Sequence, residues 1–211
     1  MGLAMTDASP RKMPSTTVEA AAGPGARSDA VPTAASALPA TQAERQQALR
    51  AALGEFATGV AVVTACDATG RPVGVTVNSF ASASLDPPLV LWSLDRASAS
   101  RGAYASAPHH AINVLAVEQE AIARRFAARS LDRFAGIGFH TGPFGVPLID
   151  GALSYLVLAR NEVRETGDHL TFVGKVVFHQ RFLRAPLVFH RSRFCTTGAQ
   201  RGDGAPRVAN G

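Results

Sequence analysis

The sequence has few cysteines and no long apolar run. Its 211 residues contain two cysteines, Cys66 and Cys195, which form no Cys-x-x-Cys motif and are too few for a disulfide scaffold. No apolar stretch approaches the roughly 20 residues that a membrane-spanning helix needs. These absences exclude a zinc ribbon and an integral membrane protein. They are typical of a soluble protein in a reducing compartment, so a cytoplasmic location is expected.

Lysine is also scarce, since only two of the 21 basic residues are lysine. The net charge is +5, but the arginines that produce it are scattered through the middle of the chain. Scattered arginines favour a few local anion contacts, such as the phosphates of a small cofactor, over a basic stripe along a polynucleotide. No nucleic-acid partner is therefore predicted.

Common catalytic and metal-binding motifs are absent. The segment Gly136–Gly142 has the first two glycines of a dinucleotide fingerprint, but its third glycine is one position late. The sequence contains no P-loop, no Gly-x-Ser-x-Gly elbow and no His-Glu-x-x-His motif. The six histidines show no paired ligand spacing. No metal site is predicted.

Composition divides the chain into one domain and two tails. Residues 1–40 are rich in Ala, Ser, Thr, Pro and Gly and poor in large apolar side chains, which predicts a disordered tail; a transit peptide is an alternative. Residues 41–194 carry the periodic apolar patterns of a folded domain. Residues 195–211 are polar and Gly-rich, which predicts a flexible C-terminal tail.

The patterns within residues 41–194 predict a mainly β domain with flanking helices. Thr41 and Glu44 form a capping-box pattern, and apolar residues at helical spacing follow as far as Gly59. Short turns separate strand-like runs and favour an antiparallel barrel over a doubly wound sheet. The predicted strands are Val60–Cys66, Pro72–Phe80, Leu89–Leu94, His110–Ala116, Ala152–Val163 and His169–Phe182. Further helices are predicted over Ser98–Ala107 and Glu118–Ala128, and a loop over Gly136–Pro147.

The segment Gly74–Ser84 is unusual for a strand, because hydroxyl and amide groups stand where bulky side chains normally fill a barrel. A flat heterocycle lying against a strand needs this close backbone approach and short polar partners, which Thr76, Asn78 and Ser79 offer. A solvent-exposed polar face is the plain alternative. Composition alone favours neither.

Two further segments carry candidate ligand contacts. Ser93–Arg101 joins a strand end to a helix start, where unpaired N–H groups favour a phosphate, although Ser98 as a simple helix cap is the more economical interpretation. The segment Gly167-Asp168-His169 has two interpretations. It is an ordinary hairpin turn, or it is a functional site in which His169 offers a ring nitrogen to a carboxamide or phosphate and Asp168 orients the ring.

Taken in order, short motifs along residues 45–194 resemble the flavin reductase-like family, the short-chain NAD(P)H:flavin oxidoreductases. A series of short matches in fixed order is more specific than any one of them. The motifs are Phe56-Ala57-Thr58-Gly59-Val60, Gly74-Val75-Thr76-Val77-Asn78-Ser79-Phe80, Ser82-Ala83-Ser84-Leu85-Asp86-Pro87-Pro88-Leu89-Val90, Ile112-Asn113-Val114-Leu115, Arg125-Phe126-Ala127, Arg133-Phe134-Ala135-Gly136, Gly167-Asp168-His169, Gly174-Lys175-Val176 and Arg191-Ser192-Arg193-Phe194.

This resemblance implies an FMN-binding split β-barrel, a homodimer with flavin near the subunit interface, and a set of site residues. Thr76, Val77, Asn78 and Ser79 are implied to face the isoalloxazine, with Ser82 and Ser84 next to it. Ser93, Leu94 and Ser98 are implied to approach the ribityl and phosphate end. His169, with Asp168 beside it, is implied to meet the nicotinamide.

The implied function is an NAD(P)H-dependent flavin reductase that transfers a hydride to FMN or FAD and supplies reduced flavin to a transient monooxygenase partner. The alternatives are a split-barrel oxidase with tightly bound FMN and a non-catalytic flavin carrier or sensor. The choices between NADH and NADPH and between FMN and FAD stay open. Arg191 and Arg193 are candidate contacts for a 2′-phosphate, or plain surface charges.

Overall fold

Antiparallel strands dominate the structure. This computed structural model describes residues 41–129 and 132–198, which belong to one compact unit. The α-helices within these ranges are α1 (Gln42–Leu53), α2 (Arg101–Ser106) and α3 (Glu120–Ala127). The strands in the described part of the chain are β1 (Thr58–Gly59), β2 (Ala61–Cys66), β3 (Pro72–Val77), β4 (Ala81–Leu85), β5 (Pro88–Asp95), β6 (His109–Val114), β7 (Phe139–Thr141), β8 (Pro147–Ile149), β9 (Ser154–Thr166), β10 (His169–Arg181), β11 (Leu187–His190) and β12 (Arg193–Thr196).

Three sheets contain these strands. The largest has seven strands in the order β3-β2-β6-β9-β10-β5-β4, a second has the order β1-β11-β12, and β7 pairs with β8. The strand pairs are antiparallel throughout the described residues. The prediction of a mainly β, antiparallel domain with flanking helices is confirmed.

The link between β3 and β4 determines the shape of the large sheet. These strands are consecutive in the chain, yet they form its two opposite edges. The three residues Asn78–Phe80 join them. Because an extended chain advances at most 3.3–3.6 Å per residue, the Cα atoms of Val77 and Ala81 lie no more than about 14 Å apart. The sheet must therefore curl until its edges approach each other, although the described β3 and β4 do not pair.

The curled sheet encloses an aromatic core. The Trp92 ring stacks on Phe172 with centroids 4.3 Å apart and meets Tyr104 edge-on at 5.1 Å. Tyr104 comes from α2, and its hydroxyl donates to the carbonyl of Val63 at 2.7 Å. The imidazole of His110 completes the cluster. Aromatic packing of this kind fixes α2 over the core.

A buried polar cluster attaches the β7–β8 hairpin to the sheet. The Asn113 side chain donates to the carbonyl of Val62 at 3.0 Å and accepts from the N–H of Ile149 at 2.8 Å. Its amide also donates to the hydroxyl of Thr64, which in turn donates to the carbonyl of Pro147. Each of these groups would be costly to bury without a partner, so the cluster specifies where the hairpin docks.

Helix α1 is shorter than predicted. Its capping box is present, with Glu44 N–H donating to Thr41 Oγ1 at 3.2 Å and Thr41 N–H donating to the Glu44 carboxylate at 2.9 Å. The helix ends at Leu53 instead of Gly59, because β1 starts at Thr58 to pair with β11. No residue of α1 is buried, and Leu53 and Phe56 are 65% and 78% exposed.

Several strands were missed by the sequence analysis. The predicted strand Pro72–Phe80 ends at Val77, and a separate polar edge strand, β4, follows the crossover. The predicted loop Gly136–Pro147 contains β7 and the start of β8. The hairpin β11–β12 extends to Thr196, two residues past the predicted domain end. These strands are short or lie at sheet edges, where alternation is weak. The predicted tail at 1–40 and residues 199–211 of the predicted tail 195–211 lie outside the described residues.

Candidate active site

The unusual composition of β3 is partly explained by α3. A Cβ at Gly74 would come within 2.4 Å of the Phe126 ring, so only glycine lets this helix residue pack on the strand. The Thr76 hydroxyl donates to the carbonyl of Ala123 in α3 at 2.7 Å. The side chain of Val77 is buried in the core. On this strand, the predicted flavin-facing side chains of Thr76 and Val77 are therefore directed to protein partners, which leaves their backbone for a ligand.

The crossover and the edge strand carry the exposed polar groups. Asn78 is exposed, and Ser82 and Ser84 lie on either side of a bulge in β4. Ser79 is half-buried, and its hydroxyl bonds both the N–H and the carbonyl of Ser93 in β5. One side of β4 pairs with β5, and in the described sheet its other side is an edge.

The segment after β5 lies beside the tip of the β9–β10 hairpin. The N–H of Arg96 donates to the carbonyl of Asp168 at 2.9 Å, and the Arg96 guanidinium lies 3.4 Å from the Glu165 carboxylate. Ser98 does not cap α2 as the plain interpretation held. The Ser98 hydroxyl accepts from the N–H of Ser100, and α2 begins at Arg101, so its N-cap is Ser100.

His169 and Asp168 form a hydrogen-bonded pair at that tip. His169 Nδ1 lies 2.7 Å from Asp168 Oδ1, and His169 is the register partner of Asp95 at the end of β5. The hydrogen bond and charge of His169 lower the pKa of Asp168, so this carboxylate stays ionised. The side chain of His169 is 45% exposed, which leaves the ring accessible to a ligand.

Predicted residues from distant segments thus come together on one outer face of the sheet. Ser93 Oγ lies 3.3 Å from the hydroxyl of Thr171, and Thr171 donates to Thr166 at 3.0 Å. These hydrogen-bonded hydroxyls connect Ser79, through Ser93, with the tip of the β9–β10 hairpin. Leu94 is excluded from this face because its side chain is 3% exposed and points into the core. Only the Leu94 backbone remains for a ligand.

Thr166 and Thr171 were missed by the sequence analysis. Thr171 follows His169 by two residues in the same strand, and this spacing puts both side chains on one face. That signal was available in the sequence. Arg96 lies within the segment Ser93–Arg101, and its contacts with Gly167, Asp168 and Glu165 depend on the pairing of β5 with β10. No sequence signal predicts that pairing.

Two absences can be stated for residues 41–129 and 132–198. No group of three His, Cys, Asp or Glu side chains is placed to hold a metal ion. No helix in the same ranges has the length and apolarity to cross a membrane. The cysteines Cys66 and Cys195 are both free thiols.

The similar proteins of known sequence are named as reductases or as reductase components. The FMN reductase (NADH) SmoA of Agrobacterium fabrum is 42% identical over 151 residues, covering 72% of this chain and 86% of that protein. The reductase component of the flavin-dependent trigonelline monooxygenase of Acinetobacter baylyi is 42% identical over 148 residues, covering 70% of this chain and 48% of that protein. The chain spans about half the length of several curated relatives that it matches, between 42% and 56%.

A solved structure shares the fold. The NADH:FAD oxidoreductase SgcE6 of Streptomyces globisporus, in complex with NAD and FAD fragments, aligns with a TM-score of 0.71 and 36% identity. The alignment covers 74% of this chain and 95% of that one. The family model described as flavin reductase like domain matches residues 53–198. The chain therefore belongs to the flavin reductase-like family.

Proposed function

We propose that this protein is an NAD(P)H-dependent flavin reductase. The proposed reaction moves a hydride from C4 of the reduced nicotinamide to FMN or FAD, and with one proton it yields NAD(P)⁺ and reduced flavin. The observation that carries the proposal is the meeting of the Ser79 crossover with the Asp168–His169 tip on one face, through Ser93 and the segment after β5. The names of the relatives SmoA and SgcE6 support it.

The residues present fit a flavin. The edge strand β4 has backbone N–H and C=O groups outside the described ladder, and such groups match the carbonyls and N–H of a flavin's pyrimidine ring. Asn78, Ser82 and Ser84 add short polar side chains without filling the space. Leu91 and Val173, paired across β5 and β10, supply half-buried apolar surface next to the hydroxyls. A flat ring needs both kinds of contact.

The chain's own groups have two tasks in this reaction. Backbone N–H groups near Asn78 and Ser79 stabilise the negative charge that develops on the flavin ring. Asp168 accepts from Nδ1–H of His169, which orients the ring and leaves Nε2 to bond the nicotinamide carboxamide. The reaction needs no protein nucleophile, so catalysis comes from holding two rings in contact and excluding water.

A matched pair of histidine variants tests the proposal. His140 makes the same Nδ1–carboxylate contact with Asp150 at 2.8 Å, at 54% exposure, but on the β7–β8 hairpin. We expect wild-type protein to oxidise NADH or NADPH with FMN, FAD or riboflavin. His169→Ala should lower kcat/KM for the nicotinamide about tenfold or more, because an orienting contact is lost. His140→Ala should change it little.

The outcomes separate the alternatives. Absence of NAD(P)H oxidation with all three flavins would contradict a reductase and leave a flavin carrier or sensor. A yellow colour that survives gel filtration, without turnover of added flavin, would indicate an oxidase with tightly bound FMN. Equal losses in His169→Ala and His140→Ala would remove His169 from the site.

The finer features of the proposal are a split barrel, a homodimer, a partner and a location. The three-residue crossover between opposite edges supports a split barrel. The name of the trigonelline monooxygenase relative supports delivery of reduced flavin to a transient monooxygenase partner. The free thiols Cys66 and Cys195 are consistent with the reducing cytoplasm.

An exposed apolar stripe on α1 supports the homodimer. Leu49 and Leu53 lie one turn apart, are 59% and 65% exposed, and continue to Phe56. A 12-residue helix without buried residues is marginally stable alone, so a second copy covering the stripe would stabilise it. Leu53→Glu should yield a monomer in light scattering, whereas Gln47→Glu on the opposite face should not. A wild-type monomer would contradict the proposed dimer.

A further inference from the structure

Lys175 is the only lysine in the part of the chain that the structure describes, since the other lysine of the sequence is Lys12. It lies in β10, an inner strand of the large sheet between β9 and β5. Its side chain is exposed, and it makes no hydrogen bond or ion pair with any described residue. Lysines commonly protect sheet edges from pairing, but β10 is not an edge, so this lysine is available for another role.

The register of the sheet places Lys175 on the outer face that carries the candidate active site. Because alternate side chains of a strand share a face, Lys175 lies on the same side of β10 as Val173 and His169. Its partner in β5 is Leu89, and Leu89 is in turn the partner of Ser84 in β4. Neighbouring strands are about 4.8 Å apart, so the flexible four-carbon stem of the lysine can extend across Leu89 toward Ser84.

The neighbours of Lys175 on this face leave its charge uncompensated. Its partner on the β9 side is Ala159, which has no polar side chain. The carboxylate of Glu162, the β9 partner of Val173, is bonded to the guanidinium of Arg164 instead. The ammonium of Lys175 thus has no counterion among the described residues, and an anion that binds on this face would supply one.

The charges on this face have opposite signs at its two ends. At one end, the carboxylate of Asp168 lies beside His169, and Asp95 is the register partner of His169. Lys175 lies six residues further along β10, about 20 Å away at the usual rise of a strand. The half-buried apolar side chain of Val173 lies between these ends, where the flavin ring is proposed to bind.

Hydride transfer moves charge in the direction that this polarity favours. When a hydride leaves C4 of NAD(P)H and adds to N5 of the flavin, the nicotinamide gains a positive charge. The flavin gains a negative charge, which N1 and the C2 carbonyl share until a proton from water follows. Fixed charges aimed at the atoms where charge develops stabilise it without reorganisation. Carboxylates therefore suit the nicotinamide end of the face, and an ammonium suits the flavin.

We propose that Lys175 binds the pyrimidine edge of the flavin ring and stabilises the negative charge of the reduced form, an inference that rests on the proposed function. The oxidised ring is neutral at N1, so the ammonium stabilises it much less. The protein should consequently bind reduced flavin more tightly than oxidised flavin, with Lys175 responsible for much of the difference. Ser84 and the edge strand β4 would hold that edge of the ring within reach of the ammonium.

Equilibrium dialysis under nitrogen, against oxidised FMN and against FMN reduced with dithionite, measures both dissociation constants without any nicotinamide. Lys175→Met removes the charge and keeps an unbranched side chain. It should raise the Kd for reduced FMN about fivefold to tenfold and the Kd for oxidised FMN by less than about twofold. Lys175→Arg retains the charge and should retain most of the preference for reduced FMN.

Arg181→Met is the matched control. Arg181 is an exposed cation in the same strand, but it lies opposite Ser154, beyond the bulge between Val176 and Phe178 and away from the β5 ladder. This variant should bind both forms of FMN like wild type. Dialysis with riboflavin, which has no phosphate, should show the same selective loss in Lys175→Met.

Equal rises in Kd for oxidised and reduced flavin would reject the proposal, because the ammonium would then not respond to the charge of the ring. Unchanged Kd values in Lys175→Met, or equal losses in Lys175→Met and Arg181→Met, would also reject it. Wild-type protein that oxidises NAD(P)H but binds both forms of flavin equally would overturn the role of Lys175 and leave the proposed reductase intact. A preference for reduced flavin that depends on Lys175, without NAD(P)H oxidation, would do the opposite. Protein that binds neither form would reject both proposals.

Discussion

The side-chain hydroxyl of Ser79 donates to the backbone carbonyl of Ser93 at 3.1 Å and accepts from the N–H of the same residue at 3.0 Å. In the β4–β5 ladder, Ala81 is opposite Leu91, so the same register would bring residue 79 opposite Ser93. One hydroxyl therefore makes the two bonds that a backbone would make at this position. The crossover from β3 to β4 therefore stays attached to β5 although it lies outside the β4–β5 ladder.

Loss of this hydroxyl should loosen the crossover. Ser79→Ala removes two neutral hydrogen bonds, each worth about 0.5–1.5 kcal/mol, and we expect the flavin KM to rise about fivefold with a smaller change in kcat. Ser79→Thr keeps the hydroxyl and should restore much of the wild-type KM. Steady-state kinetics with FMN measure both. Ser106→Ala, which removes a local hydrogen bond to the carbonyl of Ala103, is the control. A wild-type KM in Ser79→Ala would show that the two hydrogen bonds between Ser79 and Ser93 do not position the site.

Gly74→Ala should destabilise the contact between β3 and α3. The new Cβ would lie 2.4 Å and 2.6 Å from two atoms of the Phe126 ring, and the buried ring has little room to move. Overpacking of this kind costs about 1–3 kcal/mol, measurable by urea unfolding. Gly59→Ala is the matched strand control because a Cβ there meets no atom within 4 Å. Equal stability of the two variants would contradict the packing of α3 on this strand.

Burial of His110 makes stability depend on pH. Desolvation in the aromatic core lowers the pKa of His110 to about 4, despite its hydrogen bond to the Tyr104 carbonyl. An unfolded histidine titrates near 6.5, so between these values the unfolded chain binds more protons and stability falls as the pH falls. The loss from this residue reaches about 3 kcal/mol at pH 4.

Urea unfolding of wild type and His110→Gln at several pH values between 7 and 4 measures this effect. The difference in unfolding free energy between the two proteins should shrink as the pH falls, because glutamine has no proton to bind. Curves that stay parallel over this range would mean that His110 is protonated equally in both states.

Asn113→Leu should weaken the attachment of the β7–β8 hairpin to the large sheet. The substitution leaves the buried N–H of Ile149 and the carbonyl of Val62 without their side-chain partner, at a cost of about 2–4 kcal/mol in the free energy of unfolding. Thermal or urea unfolding detects a loss of this size. Asn161→Leu, at an exposed position of β9, is the control. A loss below 1 kcal/mol in Asn113→Leu would show that the cluster contributes little to docking the hairpin.

Local features of this protein could be predicted from its sequence. The Thr41 capping box, the turn at Asp67–Gly70 and the adjacency of Asp168 and His169 depend on residues no more than a few positions apart. The antiparallel character of the sheet followed from short turns between strand-like runs. In each case, the interacting groups are neighbours in the chain, so their spacing already determines the geometry.

Only the tertiary structure decided which face each side chain occupies. The side chains of Val77 and Leu94 are buried in the core, so only their backbone can meet the flavin that they are predicted to approach. The face that a strand residue presents depends on register, since a one-residue change exchanges the two faces. The bonds from Thr76 to Ala123 and from Ser79 to Ser93 join residues 47 and 14 positions apart. The curl of the sheet and the packing of α3 determine which residues become partners. The order of residue types along the chain does not specify these long-range contacts.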